Sequence, residues 1–266
     1  MFLGSLRLIV TFAFLLFASW SDMKTHEVSN KVWIFFGPVA FVLALIDSLR
    51  APLLESLTFF GSSLIVISVL AIALFYLGFF GGADAKALIC LSLAFPIYPN
   101  GIFLSLGYVL PIFVMSVFNN AIVLTALVAL GILIMNVKWK LKTNGNLFTG
   151  LETEPLYKRI LVLVTGLKIK ITELEKKPHY YPVELIEELT DDKFRRRLQI
   201  FVKVLESNDK ANANKLKELV TQGKLSDEIW ATPAMPFLVF ITIGFGATLV
   251  FGDVLFNLVF RLLSLF

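Results

Sequence analysis

Residues 57–80 run for 24 positions without a charged side chain, and this stretch decides what the chain can become. An apolar stretch of about 17 to 25 residues is long enough to cross the hydrocarbon layer of a bilayer as a helix. Further apolar segments occupy residues 2–20, 32–46, 119–137 and 234–251. Hydrophobic residues make up 57% of the 266 positions, above the roughly 45–50% of soluble domains. The pattern predicts an integral membrane protein with lipid as its solvent. A shorter apolar segment begins near Ala85 and is broken by AFPIYPNG at 94–101. Residues 101–118, interrupted by Gly107 and Pro111, fit a span, a hairpin or an interfacial segment, and the six-span layout takes them as not crossing. The expected fold is α-helical with about six transmembrane helices. Arg7 lies within the first segment and no small-residue cleavage site precedes Asp22, so that segment is expected to stay as a helix.

Between residues 138 and 230 the chemistry changes, with 18 of the 24 Lys and Arg and 14 of the 20 Asp and Glu falling there. Such density demands water. The expected organisation is membrane helices over 1–138, a small α+β soluble domain over 139–230, and the last membrane helix with its tail over 231–266. LVTGLKIKITELEKK alternates as a strand does, whereas DDKFRRRLQIFVKVLESN and DKANANKLKELV carry helical spacing. The Arg195 to Arg197 run could touch anionic lipid or an acidic partner but is expected on a solvated helix face close to the membrane; the bilayer is an expected partner and nucleic acid is not. Cys90 is the lone cysteine and the two histidines lie far apart, so neither a disulfide, a metal site nor a cofactor is expected.

Lysines in the short loops set the orientation. Lys24, Lys31, Lys86, Lys138, Lys140 and Lys142 all fall on one side of a six-span layout, which is expected to be cytoplasmic. The same arithmetic brings Asp22, at the end of the first helix, and Asp84, at the start of the fourth, to that face. Asp47, Glu55 and Asp253 fall near the opposite one. An ionisable residue at this depth is costly enough to imply use. Two carboxylates sharing a water suffice for amide hydrolysis: the ionised one accepts a proton from the attacking water, and the protonated one donates to the carbonyl oxygen. Like charges at short range keep one proton in the pair. Gly81 and Gly82 fit a backbone that turns sharply or approaches a substrate closely. Paired membrane acids also suit proton- or ion-coupled transport, and a helical bundle with a soluble domain suits a non-catalytic assembly scaffold. No internal repeat of the spans favours the first of these.

GGADAK at 81–86 resembles the G-x-G-D signature of the intramembrane aspartyl proteases, the group of bacterial prepilin peptidases, archaeal preflagellin peptidases and presenilins. SDMKTHEVSNKVWIFF at 21–36 is similar to the first-aspartate block of the archaeal preflagellin branch, and DEIWATPAMP at 227–236 to the junction before its last helix. The resemblance implies that Asp22 and Asp84 are catalytic. It also implies that an archaeal preflagellin or pilin-like precursor is cut between a short basic leader and a hydrophobic helix, at the cytoplasmic face of the cell membrane. Two departures stand out. Ala83 replaces the second glycine of the signature, and no Cys-x-x-C module is present, so the N-methylation associated with that module is not expected. Glu27, beside the pair, is a candidate to attract basic leader residues.

Overall fold

The computed structural model describes residues 2–48, 53–99, 105–174, 176, 180–188, 194–199 and 206–264. Two compact units emerge, Met1–Ala126 with Pro236–Phe266, and Leu127–Met235. The first contains α1 (Phe2–Thr25), α2 (Asn30–Ser48), α3 (Leu53–Tyr76), α4 (Gly82–Ala94), most of the apolar part of α5 (Phe113–Thr143), α9 (Phe237–Phe251) and α10 (Val254–Leu263). Among the described residues, α1, α2, α3 and α5 are each long and apolar enough to cross a membrane. The α9–α10 pair, bent by 54°, makes a fifth span if taken as one. The chain is thus a multi-pass membrane protein, close to the expected helix count.

Helix α4 is the short one. Its 13 residues extend only about 20 Å, less than the ~30 Å hydrocarbon layer. It is instead enclosed by its neighbours, packing against α1, α2, α3 and α9. Ala85, Ala87, Leu88, Cys90, Leu91, Ser92 and Ala94 are all buried, and small side chains on several faces let other helices come close. The same device joins α5 to α9, where a methyl group added to Gly244 would sit 2.7 Å from the Val117 carbonyl oxygen.

Several segment readings are corrected here. Residues 105–112 form no helix, and Phe113–Phe118 belongs to α5, which therefore starts six residues before the expected Asn119. Pro111 and the Leu110 N–H bond to Ser116 Oγ, 3.0 Å, mark that start. Residues 101–104 lie outside the described residues. After Phe251 the chain does not end its helical path: Gly252, at φ +73°, turns it, and Asp253 caps α10 by accepting from the Phe256 N–H at 2.9 Å. Asp253 is fully buried and takes a second bond, 2.8 Å, from Asn119 Nδ2. Arg7, the cation within the first segment, is neutralised by Asp47 at 3.2 Å and lies over the Phe95 ring, as a charge in hydrocarbon must be.

The second unit holds the end of α5, α6 (Leu156–Thr165), α7 (Ile171–Leu174), α8 (Glu206–Thr221) and five strands. Strands β1 (Leu167–Lys170), β5 (Glu228–Pro233) and β2 (Tyr180–Pro182) form one antiparallel sheet in that order, and β3 (Glu184–Glu188) pairs with β4 (Phe194–Leu198). Trp230 is the centre of this core, fully buried, stacked on Phe148 and donating its indole N–H to the Leu147 carbonyl. Of the stretch 163–177 expected to be extended, only Leu167–Lys170 is a strand, since residues 163–165 end α6 and Ile171–Leu174 forms α7; the helical spacing over 209–220 falls in α8. The arginine run is not helical: Arg195–Arg197 lies in β4, because β3 opposite it is ELIEE. Arg196 pairs with Glu184 at 2.6 Å and Arg197 with Glu187 at 2.8 Å, an opposite-charge ladder that helical spacing alone could not reveal.

Candidate active site

Asp22 and Asp84 lie at the same end of the first unit, one at the C-terminal turn of α1 and the other in the first turn of α4. Helix α1 stops just beyond Asp22, where His26 adopts φ +53° and its N–H closes on the Asp22 carbonyl at 2.9 Å. Helix α3 ends in a Schellman turn. The Gly78 N–H bonds the Phe75 carbonyl and the Phe79 N–H the Leu74 carbonyl, both at 3.0 Å, with Gly78 at φ +78°. The sharp turn that the double glycine suggested is therefore made at Gly78.

Gly81 has a different use. Its backbone is extended, φ −73° and ψ 158°, which any residue adopts, but its N–H donates to Asp84 Oδ2 at 2.9 Å. A Cβ there would stand 3.2 Å from that same oxygen. Gly82 would meet only the Phe75 ring at 3.7 Å, an ordinary contact. Ala83 is the second residue of α4, half-buried and packed on the membrane core. A helical position of this kind does not require glycine, which accounts for the departure from the signature. Gly81→Ala is expected to lower peptidase activity on the order of tenfold, below the 10²-fold that a 1 Å misplacement costs, while Gly82→Ala leaves it nearly unchanged. Steady-state cleavage rates of the two variants check the contrast.

Asp84 is buried, 8% exposed, and Asp22 half-buried. Helix α4, which carries Asp84, packs against both α1 and α9, and Leu238 lies in the first turn of α9. First-turn amides of a helix have no intrahelical acceptor, and Asp84 supplies one at the start of its own helix, for the Gly81 N–H. The Leu238 carbonyl accepts from Ser19 Oγ at 3.1 Å and Thr242 Oγ1 at 2.9 Å, and those two hydroxyls are 2.7 Å apart. Ser19 is one helical turn below Asp22, on the same face of α1. This buried bridge ties the Asp22 helix to the start of α9. Phe80 stacks on Phe237 with centroids 4.6 Å apart, securing the loop before Asp84 to the same helix start.

Sequence reasoning passed over Ser19, Thr242 and the Leu238 carbonyl. The signals available were the Ser19–Asp22 spacing of three and the Leu238–Thr242 spacing of four. Glu27 is exposed, with its backbone gripped by Ser21 and Thr25. Lys86 points away from Asp84 and donates to Asn30 Oδ1 at 2.7 Å, joining the starts of α2 and α4. Among the described residues no three His, Cys, Asp or Glu side chains gather as a metal site.

Residues 9–134, which include both aspartates, match the type IV leader peptidase family, and residues 158–254 match the archaeal peptidase A24 C-terminus of type II. Between them the two patterns take in most of the chain.

The chain is similar to the type IV leader peptidase family.

Relatives in that family extend along nearly the whole length. The chain is 26% identical to a preflagellin peptidase of Methanococcus voltae, with 92% of this chain and 94% of the relative aligned. It is 25% identical to one of Methanococcus maripaludis, with 94% of each aligned. A preflagellin peptidase of Methanocaldococcus jannaschii is 27% identical over 90% of this chain and 91% of that protein. Both patterns and the names of these relatives support a peptidase. The leader peptidase pattern runs from α1 into α5, and the archaeal pattern runs from α6 through the strand unit into α10.

Proposed function

We propose that this chain is an aspartic endopeptidase of the cytoplasmic membrane that removes the short basic leader from preflagellin or type IV pilin-like precursors, with Asp22 and Asp84 as its catalytic pair. The observation that supports this reading is that Asp22, in the last turn of α1, and Asp84, in the first turn of α4, sit on two helices packed against each other, with Asp84 held by the Gly81 N–H. Names of relatives supply the substrate class.

The reaction then runs through a water between the two carboxyl groups. The water oxygen bonds to the scissile carbonyl carbon as its proton passes to the ionised carboxylate, and the protonated partner hydrogen-bonds to the carbonyl oxygen. The resulting tetrahedral adduct collapses when the newly held proton moves to the amide nitrogen. The C–N bond breaks, the leader leaves with a new carboxyl terminus, and the mature chain leaves with a new amine. No covalent enzyme intermediate is needed.

Lys24, Lys31 and Lys86 flank the pair, and by the positive-inside rule this end faces the cytoplasm, where a leader just outside its membrane helix would arrive. A peptide bond at such an edge leaves helical hydrogen bonding more readily than one in mid-span. Exposed Glu27 meets the basic leader. Glu27→Gln is expected to raise KM by about 1.5- to 5-fold, as a surface ion pair of ~0.2–1 kcal/mol does, with kcat unchanged; initial rates across precursor concentration separate the two. The reading itself is tested by reconstituting the full chain in vesicles with a leader-bearing precursor. Mass spectrometry should find a product starting at the leader–helix junction. An intact precursor would leave transport or scaffolding as the function.

A further inference from the structure

In α6 the polarity of a soluble amphipathic helix is turned inside out. Its charged side chains face the domain: Lys158 binds Glu154 at 3.2 Å and the Leu198 carbonyl at 3.0 Å, and Arg159 lies toward the Phe148 ring. Val162, on that same side, is buried. The opposite side presents Leu156 at 65% exposure, Tyr157 at 58%, Ile160 at 52% and Leu161 at 40%, with half-buried Val164 completing the stripe. Helical spacing sets these residues around one direction, opposite Lys158 and Arg159. A helix whose outward face is aliphatic and uncharged needs a cover that is not water.

The position of α6 says what the cover is. Asn136, buried in α5, donates to the Leu163 carbonyl at 2.9 Å and the Gly166 carbonyl at 2.7 Å. It thereby fastens the last turn of α6 to the membrane-spanning helix. Two residues further along α5, about 3 Å at 1.5 Å per residue, the sequence changes from aliphatic to cationic with exposed Lys138, Lys140 and Lys142. Trp139, in the same turn, lies under the Lys168 ammonium at 4.6 Å. A tryptophan among lysines at the end of a spanning helix marks the headgroup boundary. Ile134, Met135 and Val137 of α5, just before it, are exposed and apolar, and Asn136 among them is the residue that holds the end of α6.

We propose that α6 is a membrane-interface helix whose Leu156, Tyr157, Ile160 and Leu161 face rests in the boundary between headgroups and acyl chains, anchoring the strand-containing unit to the bilayer. The lysines at the end of α5 add attraction for anionic headgroups. Nothing in this inference depends on which precursor is cut or on the chemistry of the two aspartates.

The experiment uses nitroxide labels on the full chain in vesicles of equal parts phosphatidylcholine and phosphatidylglycerol. Cys90, the only cysteine, is removed as Cys90→Ala, and Tyr157→Cys and Ile160→Cys are labelled in turn; both positions are exposed, so folding is spared. Lys224→Cys, on an exposed turn after α8, is the aqueous control. At 157 and 160, collisions with a water-soluble nickel complex should fall below those with oxygen, the reverse of position 224. Nickel collisions at 157 and 160 equal to those at 224 would overturn the proposal. So would spin–spin broadening at 157 that vanishes on dilution with unlabelled protein, which would make a second copy the occupant. Capture of the stripe by the precursor alone, with nickel access until precursor is added, would overturn it in favour of a substrate-docking face.

Discussion

Asp84→Asn is expected to remove leader cleavage, lowering kcat/KM by about 10²- to 10⁴-fold, the range that a positioned acid or base contributes, while leaving the fold in place. The separation of function from folding follows from the geometry. Asp84 Oδ2 accepts the Gly81 N–H, and an asparagine amide oxygen accepts it equally well, so the start of α4 keeps its cap. What asparagine cannot do is take a proton from water. Asp22→Asn is expected to cost a comparable factor, because α1 ends through backbone contacts at His26 and not through the Asp22 side chain. Cleavage of a leader-bearing precursor and an unchanged unfolding temperature, measured on the same preparations, check both halves. Retained cleavage in either variant would defeat the paired mechanism, whereas lost cleavage with lost folding would show that the residue is a structural cap.

Glu184→Ala is expected to destabilise the strand-containing unit by about 3–5 kcal/mol, the cost of removing one partner from a buried charge pair. Glu184 is fully buried and uses both oxygens: Oε2 takes Arg196 Nε at 2.9 Å and Nη2 at 2.6 Å, and Oε1 takes the Trp230 N–H at 2.8 Å. Its removal strands a guanidinium of which only 11% is exposed and orphans a buried amide at the centre of the core. At about 1.4 kcal/mol per decade, the open population rises by roughly two to three and a half orders of magnitude. Limited proteolysis of the full chain should cut within Leu127–Met235 correspondingly faster. Glu184→Gln keeps the acceptor for Trp230 and should cost less. Equal proteolysis of wild type and alanine variant would mean that the ion pair contributes little beyond its own desolvation.

What was legible in the sequence was whatever hydrocarbon imposes. A 24-residue uncharged run leaves few alternatives to a spanning helix, and two acids near helix ends stand out because such placement is costly. The charge density over residues 138–230 pointed to water, and the strand-containing unit takes in Leu127–Met235. What escaped depended on partners distant in the chain. Arg195 to Arg197 reads as a helix face until ELIEE is set against it in register. Gly252 and Asp253 bend the last helical segment through contacts with Tyr108 and Asn119, which lie over 130 residues away. The bridge of Ser19, Thr242 and Leu238 involves ordinary hydroxyls whose importance appears only when α1 and α9 are packed together. At Gly81 the need is for space beside a carboxylate, and the positive φ belongs to Gly78.

The central claim is that Asp22 and Asp84 act as one acid and one base within a single proton-sharing pair. The dependence of kcat/KM on pH, measured with the reconstituted full chain and a leader-bearing precursor, tests it most directly. A bell with two limbs is predicted, since the pair must carry one proton and not none or two, and its limbs should collapse in any residual activity of Asp22→Asn. A flat or single-limbed profile in the wild type, or a bell that survives intact in Asp22→Asn, would contradict the account.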